Sequence, residues 1–434
     1  MRSYGKPQIC DLRCTTAMRE TGYIQLLKSF SEIPDPRADL GKRHRLDDIL
    51  FIALVGLLAG ANDAEGMVRF AKANLVWFKG LLTLDHGIPS HDTLLRVLAV
   101  VCTALIEDVL RSWVASLREL CGEPTAGWHL PIDGKTERGS CDRASGKKAI
   151  HSVSVFLSEL GVVLGQRVVG EKSNEIVAIP DLLRSLNISG ATITIDAMGC
   201  QREIAHVAIE RNANYILQVK KNQPLLLLAC QKSAAAAVSR PPAGESPAPV
   251  EKYRQVDKGH GRVETRTCTL LSDLSYVENR DDWAGLKKIA VIARERHTVL
   301  TGKTTKETAY YIVSEATATA KNVLETTRNH WGIENRLHWV LDVSYAEDKQ
   351  RVRNHNAAES LGILRRIAAG MIAQSTGERM SGHGLRQICG CNPDVLLQVL
   401  RGEKVSTPAT RRTLDPKRPR VTPTGRFKTK VTKQ

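Results

Sequence analysis

Two short apolar stretches each run into an aspartate, and these are the residues best suited to chemistry. Ala191 to Ile195 is apolar and β-branched and leads into Asp196, while Leu130 to Ile132 leads into Asp133. Each pattern predicts a buried strand that ends in a carboxylate, the position where open α/β sheets bind ligands. Because hard divalent cations prefer oxygen ligands, two such carboxylates can share one cation.

A simpler interpretation exists for Asp196. Gly199 interrupts the apolar run and Gln201 to Arg211 has helical spacing, so Asp196 could serve only to cap the next helix. The second aspartate, Asp133, favours a ligand site over a simple cap. Lys135 and Arg138 follow it in a segment that reads as a turn, and both are suited to phosphate oxygens and hence to DNA.

A third acid lies on a helix near residue 334. At about 100° per residue, Glu334 shares one helix face with bulky apolar side chains and with His338. A carboxylate among apolar side chains needs a paired charge or a metal. This favours Glu334 as a residue of the site over the alternative, in which it is only one partner of a buried ion pair. Asp348 lies near the same face and remains the second candidate for the third acid.

The elements that must position these acids change character near residue 125. Before it, helical spacing predicts four helices, at Leu46–Leu58, Ala64–Phe78, Ser90–Cys102 and Ala104–Leu120. A basic cluster precedes the first of them (Arg37, Lys42, Arg43, His44, Arg45). This cluster fits either a DNA-binding edge or a solvated run of charge.

After residue 125 the period becomes that of strands. Three strands are predicted at Trp128–Asp133, Ala149–Leu157 and Gly161–Val169, and a helix, a strand, a helix and a strand follow up to Val219. This is the order of a ribonuclease-H-like (RNase-H-like) fold, in which carboxylates lie on the first and fourth strands. Asp133 and Asp196 fall on those two strands.

The segment from 232 to 315 interrupts the α/β order. Lys232 to Pro249 is rich in Ala, Ser and Pro and predicts a connector, and Val250 to Ser314 predicts strands. Period-two alternation places Arg262, Glu264 and Arg266 on one strand face, which either grips DNA or is simply exposed. Helix resumes at Ala318 and extends to about Ser375.

Composition indicates the partner. The formal net charge is +16 and the pI is near 9.5, which favours a polyanion such as nucleic acid, while an aromatic content of 5% argues against a surface built on base stacking. Ten scattered cysteines without zinc spacing indicate reduced thiols. With no signal peptide and no span of roughly 20 apolar residues, we expect a cytoplasmic protein and no membrane partner.

A set of motifs then appears in order along the chain. They are IDGKT at 132–136, RGS at 138–140, LGQ at 164–166, EKSNE at 171–175, IP at 179–180, TIDAMGCQ at 194–201, GHGR at 259–262 with Glu264, HW at 330–331, IEN at 333–335, LHWVLDV at 337–343 and ED at 347–348. On these motifs the chain resembles the H-repeat-associated (ISAs-type) insertion-sequence transposases of the DDE superfamily. The resemblance covers residues 30 to 375, nearly the whole chain.

The resemblance implies an α/β fold with five parts. These are an N-terminal helical domain (1–125), an RNase-H-like core (126–231 and 316–400), a linker with an inserted β-rich domain (232–315) and a basic disordered tail (401–434). It implies a catalytic and metal-binding triad of Asp133, Asp196 and Glu334. Part of the superfamily carries Tyr, Arg and Lys around the third acid, but Thr327, His330 and Leu341 stand there in this chain, so phosphate-gripping roles are not carried over to them.

The function that follows is metal-dependent DNA cleavage and strand transfer, with two Mg²⁺ or Mn²⁺ ions held by the triad. The DNA partners are the terminal inverted repeats of the element and the target DNA. Lys135, Arg138, Arg262 and Arg266 are the expected DNA contacts, and a homodimer on DNA is expected because two ends are joined. A structure-specific metal nuclease and a domesticated, non-catalytic DNA-binding protein are the alternatives.

Overall fold

The first part of the protein is helical. The computed structural model describes residues 22–40, 42–120, 127–142, 145–170, 174–237, 250–259 and 261–406. Within these described ranges, six helices precede the first strand: α1 (Gly22–Ser31), α2 (Leu46–Leu58), α3 (Ala64–Ala73), α4 (Leu75–Lys79), α5 (His91–Val100) and α6 (Thr103–Leu120). Among the described residues, no helix is long and apolar enough to cross a membrane.

Local capping explains where these helices begin. The Asp63 carboxylate accepts from the Gly66 amide before α3, and the Ser90 hydroxyl accepts from the Thr93 amide before α5. Helix α2 has the predicted bounds and nearly all of its residues are buried, which makes it a core helix. The predicted helix at Ala64–Phe78 divides at Asn74 into α3 and α4.

The core sheet follows. Its elements are β1 (His129–Glu137), β2 (Ile150–Leu157), β3 (Val162–Val168), α7 (Glu175–Arg184), β4 (Thr192–Ile195), α8 (Arg202–Glu210) and β5 (Asn214–Val219). The strand order is β3-β2-β1-β4-β5, with β1, β4 and β5 parallel and β2 and β3 antiparallel. The strands and helices from β1 to β5 follow the order along the chain that the sequence predicts.

The β-rich segment joins the same sheet. After α9 (Pro224–Ala236), the strands β6 (Val250–Gly259), β7 (Arg262–Leu271), β8 (Lys288–Thr298) and β9 (Thr304–Val313) form an antiparallel meander. Strand β9 pairs with β5, so all nine strands form one sheet. The expected insertion therefore extends the core sheet, and part of the expected connector belongs to α9.

The remaining helices complete the core. They are α10 (Ala320–Asn329), a π-helical turn (Glu334–His338), α11 (Trp339–Val343), α12 (His355–Ser375), α13 (Gly382–Cys391) and α14 (Pro393–Leu400). Buried α12 packs against α2, α5, α6 and β3, and one hydrophobic cluster includes both the N-terminal helices and the sheet. Most of the predicted basic tail, from 407 onward, lies outside the described residues.

Candidate active site

Strand register places the first two acids side by side. Parallel strands β1 and β4 pair from His129 with Thr192 to Ile132 with Ile195, so Asp133 and Asp196 occupy the next positions on neighbouring strands. Both side chains leave the same face of the sheet. One expectation was wrong: β1 does not end at Asp133 but continues to Glu137, held by its antiparallel partner β2.

Asp196 caps a short 3₁₀ turn at 197–199 instead of the next helix, α8, and that role does not use the whole carboxylate. Its Oδ1 atom accepts hydrogen bonds from the amides of Met198 (3.0 Å) and Gly199 (3.3 Å) in a short 3₁₀ turn. Its Oδ2 atom takes part in neither bond. The residue is exposed, so the cap fixes the carboxylate at the strand end while leaving an oxygen available to a ligand.

The π-helical turn supplies the third acid. Such turns are rare and occur often at functional sites. Glu334 opens the turn and His338 closes it, with Nδ1 of His338 lying 3.0 Å from Oε2 of Glu334 and 3.6 Å from Oδ2 of Asp133. One ligand atom from each of Asp133, Glu334 and His338 lies within 4.8 Å of the other two.

All three predicted acids line one cavity of about 360 Å³. The cavity is bounded by Asp133 within β1, by the end of β4, by strands β5, β7, β8 and β9, and by α10 with the residues after it. Cationic side chains line the same cavity (Lys220, Arg266, Arg294, Arg328). Acidic side chains that could hold a cation and cationic side chains that could hold a phosphate therefore line the same cavity.

The electrostatics of Asp133 fit a cation site. Burial raises the pKa of Asp133 to about 7, and the carboxylates of Glu175, Asp196 and Glu334 add to the rise, against a hydrogen bond from the Gly134 amide. Grouped carboxylates repel one another, and a divalent cation relieves that repulsion. The donor set of two aspartates and a glutamate is therefore suited to a hard divalent metal.

The predicted basic residues separate into different environments. Lys135 is buried, and its Nζ lies 2.6 Å from Asp342, 3.3 Å from Glu347 and 3.5 Å from Asp348. The lysine thus organises carboxylates behind the site instead of pointing to solvent, contrary to the expectation of a DNA contact. Arg138 is exposed beside the same cluster, as a DNA contact requires.

Asp348, the second candidate for the third acid, faces away from the cavity. Its Oδ1 accepts a hydrogen bond from the Arg138 amide (3.1 Å) and lies beside Lys135. Among the described residues that line the cavity, Glu334 is present and Asp348 is not. The geometry thus supports Glu334 in the triad.

The two strand arginines are also separated. Arg266 lines the cavity and forms ion pairs with Asp257 (2.8 Å) and Glu264 (2.7 Å). Arg262 lies at the far end of β7, opposite Gly259, and is exposed. The register is consistent with the predicted shared face of Arg262 and Arg266, but of these two only Arg266 lines the cavity that contains the acids.

Sequence reasoning missed a polar chain behind the acids. The Thr194 hydroxyl hydrogen-bonds with His129 Nε2 (2.8 Å) and with His330 Nδ1 (2.9 Å), which lies on the cavity wall. Burial lowers the pKa of His129 to about 3 and also lowers that of His330, so both rings are neutral at pH 7. The available signals were Thr194 two residues before Asp196 and His330 four before Glu334.

Comparisons with known proteins agree on one family. A family model described as "Transposase DDE domain" matches residues 119–371, and one described as "DDE_Tnp_1-associated" matches residues 27–114. "Putative transposase YncI" of Escherichia coli O157:H7 is 37% identical over 349 residues, 80% of this chain and 87% of that protein. "H repeat-associated putative transposase YhhI" of Escherichia coli strain K12 is 34% identical over 84% of this chain and 93% of that protein.

A solved structure, the piggyBac transposase synaptic complex with hairpin DNA, also matches. Its TM-score is 0.37 at 13% identity, covering 91% of this chain and 80% of that one. Membership of the family is shown by the sequence matches and not by this superposition.

Proposed function

This chain belongs to the DDE transposase family, and we propose that it catalyses metal-dependent DNA strand cleavage and strand transfer of an insertion sequence. One observation carries the proposal: Asp133, Asp196 and Glu334, which are up to 201 positions apart in the sequence, line one cavity together with cationic side chains. Acids on a sheet with this strand order suit chemistry at a phosphodiester.

Asp133, Asp196 and Glu334 would hold the divalent cations, and we propose two ions of Mg²⁺ or Mn²⁺. When bound, such ions activate a water or a 3′-hydroxyl and stabilise the leaving oxygen of an in-line displacement at phosphorus. The neutralised acids then no longer repel the DNA backbone. No covalent link between protein and DNA is required.

The protein's own cations would position the DNA. Arg266, Arg294 and Arg328 line the cavity beside the triad. In the DNA-free protein Arg266 is paired with Asp257 and Glu264, and Arg294 is paired with Glu307. A phosphate that enters the cavity would replace these carboxylates as the partner of the arginines. Without a phosphate, the arginines would stay paired within the protein. Exposed Arg138 and Arg262 would contact the backbone farther out.

The partner is DNA in two roles, as element ends and as target. Transposition joins two ends, and each active site acts on one end at a time, so we propose a homodimer on DNA.

The test is incubation of the full chain with Mg²⁺ and a DNA fragment that carries the flanking ends of its own element. Products are resolved on denaturing and native gels. Joined molecules are expected. Cut products without joined ones would indicate a nuclease, and a mobility shift without cleavage would indicate a DNA-binding protein, and either result contradicts the proposal. Glu325→Gln, an exposed acid on α10 outside the cavity, is the matched control and should retain full activity.

A further inference from the structure

We propose that His338 supplies a nitrogen ligand to the divalent-cation site, which makes it a mixed oxygen and nitrogen site with a bias toward transition-metal cations over Mg²⁺. The inference rests on the metal site of the proposed function and deepens it by adding a ligand to the triad.

The first argument is distance. Nδ1 of His338 lies 3.0 Å from Glu334 Oε2 and 3.6 Å from Asp133 Oδ2. Ligands about 2.1 Å from one octahedral cation lie about 3 Å apart when adjacent and about 4.2 Å apart when opposite. The nitrogen therefore lies close to the spacing of adjacent ligands from one oxygen of each acid, and all three atoms lie within 4.8 Å of one another.

The second argument is the burial of the ring. The His338 side chain is 5% exposed, and its Nε2 atom is buried with no hydrogen-bond partner in the part of the chain that the structure describes. Either neutral tautomer leaves Nε2 unpaired, at a cost of about 1–3 kcal/mol for a buried polar group. All the polar interactions of the ring therefore lie on Nδ1, the atom aimed at Asp133 and Glu334.

The third argument is that the ring is fixed in place. Glu334 and His338 begin and end the same π turn, and the neighbouring Leu337 and Leu341 are buried in the core. His330, also near the triad, differs because its Nδ1 is hydrogen-bonded to Thr194. Of these two histidines, His338 is the one that presents a ring nitrogen to two of the acids.

A nitrogen ligand changes which metal binds best. Mg²⁺ takes oxygen ligands in near-ideal octahedral geometry, whereas first-row transition metals accept imidazole. Removal of the nitrogen should therefore weaken Mn²⁺ more than Mg²⁺. A purely structural role, in which His338 only donates a hydrogen bond to Glu334, would leave this preference unchanged.

The experiment measures metal binding by the full chain without DNA, so its result does not depend on strand transfer. Mn²⁺ is titrated with loss of the free-ion electron paramagnetic resonance signal, Mg²⁺ is measured by competition, and pulsed spectra report ¹⁴N coupling to bound Mn²⁺. The wild type should show histidine nitrogen coupling. His338→Gln, which keeps a hydrogen-bonding side chain, should abolish the coupling and weaken Mn²⁺ about tenfold or more, with Mg²⁺ changed less than about threefold.

The control is His206→Gln, an exposed histidine on α8, which should bind both metals like the wild type. Circular dichroism and melting temperature establish that each variant is folded. Nitrogen coupling that persists in His338→Gln, or equal weakening of both metals, would overturn the inference. If His338→Gln does not fold, measurements on the wild type alone still test the inference. Bound Mn²⁺ without nitrogen coupling, or no Mn²⁺ binding by the wild type, would overturn it. Nitrogen coupling in a protein that joins no DNA would leave this inference standing and remove only the proposed function.

Discussion

Behind the triad, two glutamates share a fully buried ionic cluster. Nη1 of Arg366 lies 3.2 Å from Glu347 and 3.7 Å from Glu137. Burial raises the pKa of Glu137 to about 8, and the Glu347 carboxylate adds to the rise while Arg366 opposes it. Burial also acts to raise the pKa of Glu347, but Arg366, Arg365 and Lys135 hold it below its ordinary value. At neutral pH, Glu137 therefore carries the proton and Glu347 the charge.

This assignment predicts how stability depends on pH. Glu137 has an ordinary pKa of 4.5 and a folded pKa of about 8, so between these values the folded state binds more protons than the unfolded state. Stability must fall as pH rises through that window. The side chain in Glu137→Gln cannot ionise. We therefore expect the melting temperature of this variant, relative to that of the wild type, to rise between pH 4.5 and about 8 and to stay raised at higher pH.

The comparison isolates the Glu137–Glu347 pair, because the titrations of groups away from that pair are common to both proteins. The exposed variant Glu325→Gln should follow the wild type at every pH. A difference between Glu137→Gln and the wild type that does not change between pH 5 and pH 8 would show that Glu137 is ionised throughout.

Single residues were predictable to different degrees. The neighbouring positions of Asp133 and Asp196 could be expected because each follows an apolar stretch with strand character, and the two stretches pair in parallel. The placement of Lys135 could not, since its partners Asp342, Glu347 and Asp348 are more than 200 residues away and only the fold brings them together.

At the scale of elements, the middle of β7 lies at the cavity and its first residue lies at the far tip of the meander. Arg266, in the middle, and Arg262, at the tip, lie on the same face of this strand. We therefore expect Arg266→Ala to slow strand cleavage by about tenfold or more while single-end binding changes little, because a lost charged hydrogen bond costs about 1.5–3 kcal/mol. Rates come from single-turnover cleavage and affinities from gel shift.

Arg262→Ala is the matched comparison, since it removes the same side chain outside the cavity. Its cleavage rate should lie within about fivefold of the wild type, in keeping with a backbone contact worth up to about 1 kcal/mol at an exposed position. Equal losses of cleavage rate in the two variants would show that the position of Arg266 in the cavity does not matter. A fully active Arg266→Ala would show that Arg266 has no role in cleavage.

The elements themselves were largely predictable where the pattern was local. Helix α2 matches its predicted bounds, since Asp47 and Asp48 mark its first turn and Gly60, with φ of 97°, follows its end. The pairing of β9 with β5 and the π turn at Glu334–His338 were not predicted. Strand pairing over about 100 residues leaves no local signal, and a single π turn is too short to give a pattern distinct from that of the α-helix around it.

At the scale of the whole molecule, the proposed chemistry needs two active sites. The acids Asp133, Asp196 and Glu334 of one chain line a single cavity, and two element ends must be joined. We expect analytical ultracentrifugation of the complex with end DNA to give two protein chains for two ends. An active complex that contains one chain would refute the dimer.

The strongly basic segment from Pro408 onward should act on affinity alone. It is rich in Lys and Arg, and phosphate contacts release counterions without reading sequence. Deletion of 408–434 should weaken binding to specific and unrelated DNA by the same factor and reduce the dependence of affinity on salt. A truncated protein with altered sequence preference and an unchanged salt slope would contradict this prediction.

The most direct test of the account compares cleavage with binding in the three triad variants Asp133→Asn, Asp196→Asn and Glu334→Gln. Each keeps the shape of the side chain and removes the charge that would hold the cation, so chemistry should be lost while affinity for end DNA stays within about threefold of the wild type. The measurement is single-turnover cleavage of labelled end DNA with Mg²⁺, beside a gel shift on the same DNA. The account predicts no detectable cleavage and retained binding for all three. Full cleavage by any one of them would remove that residue from the site, and an active Glu334→Gln beside an inactive Asp348→Asn would show that Asp348 is the third acid.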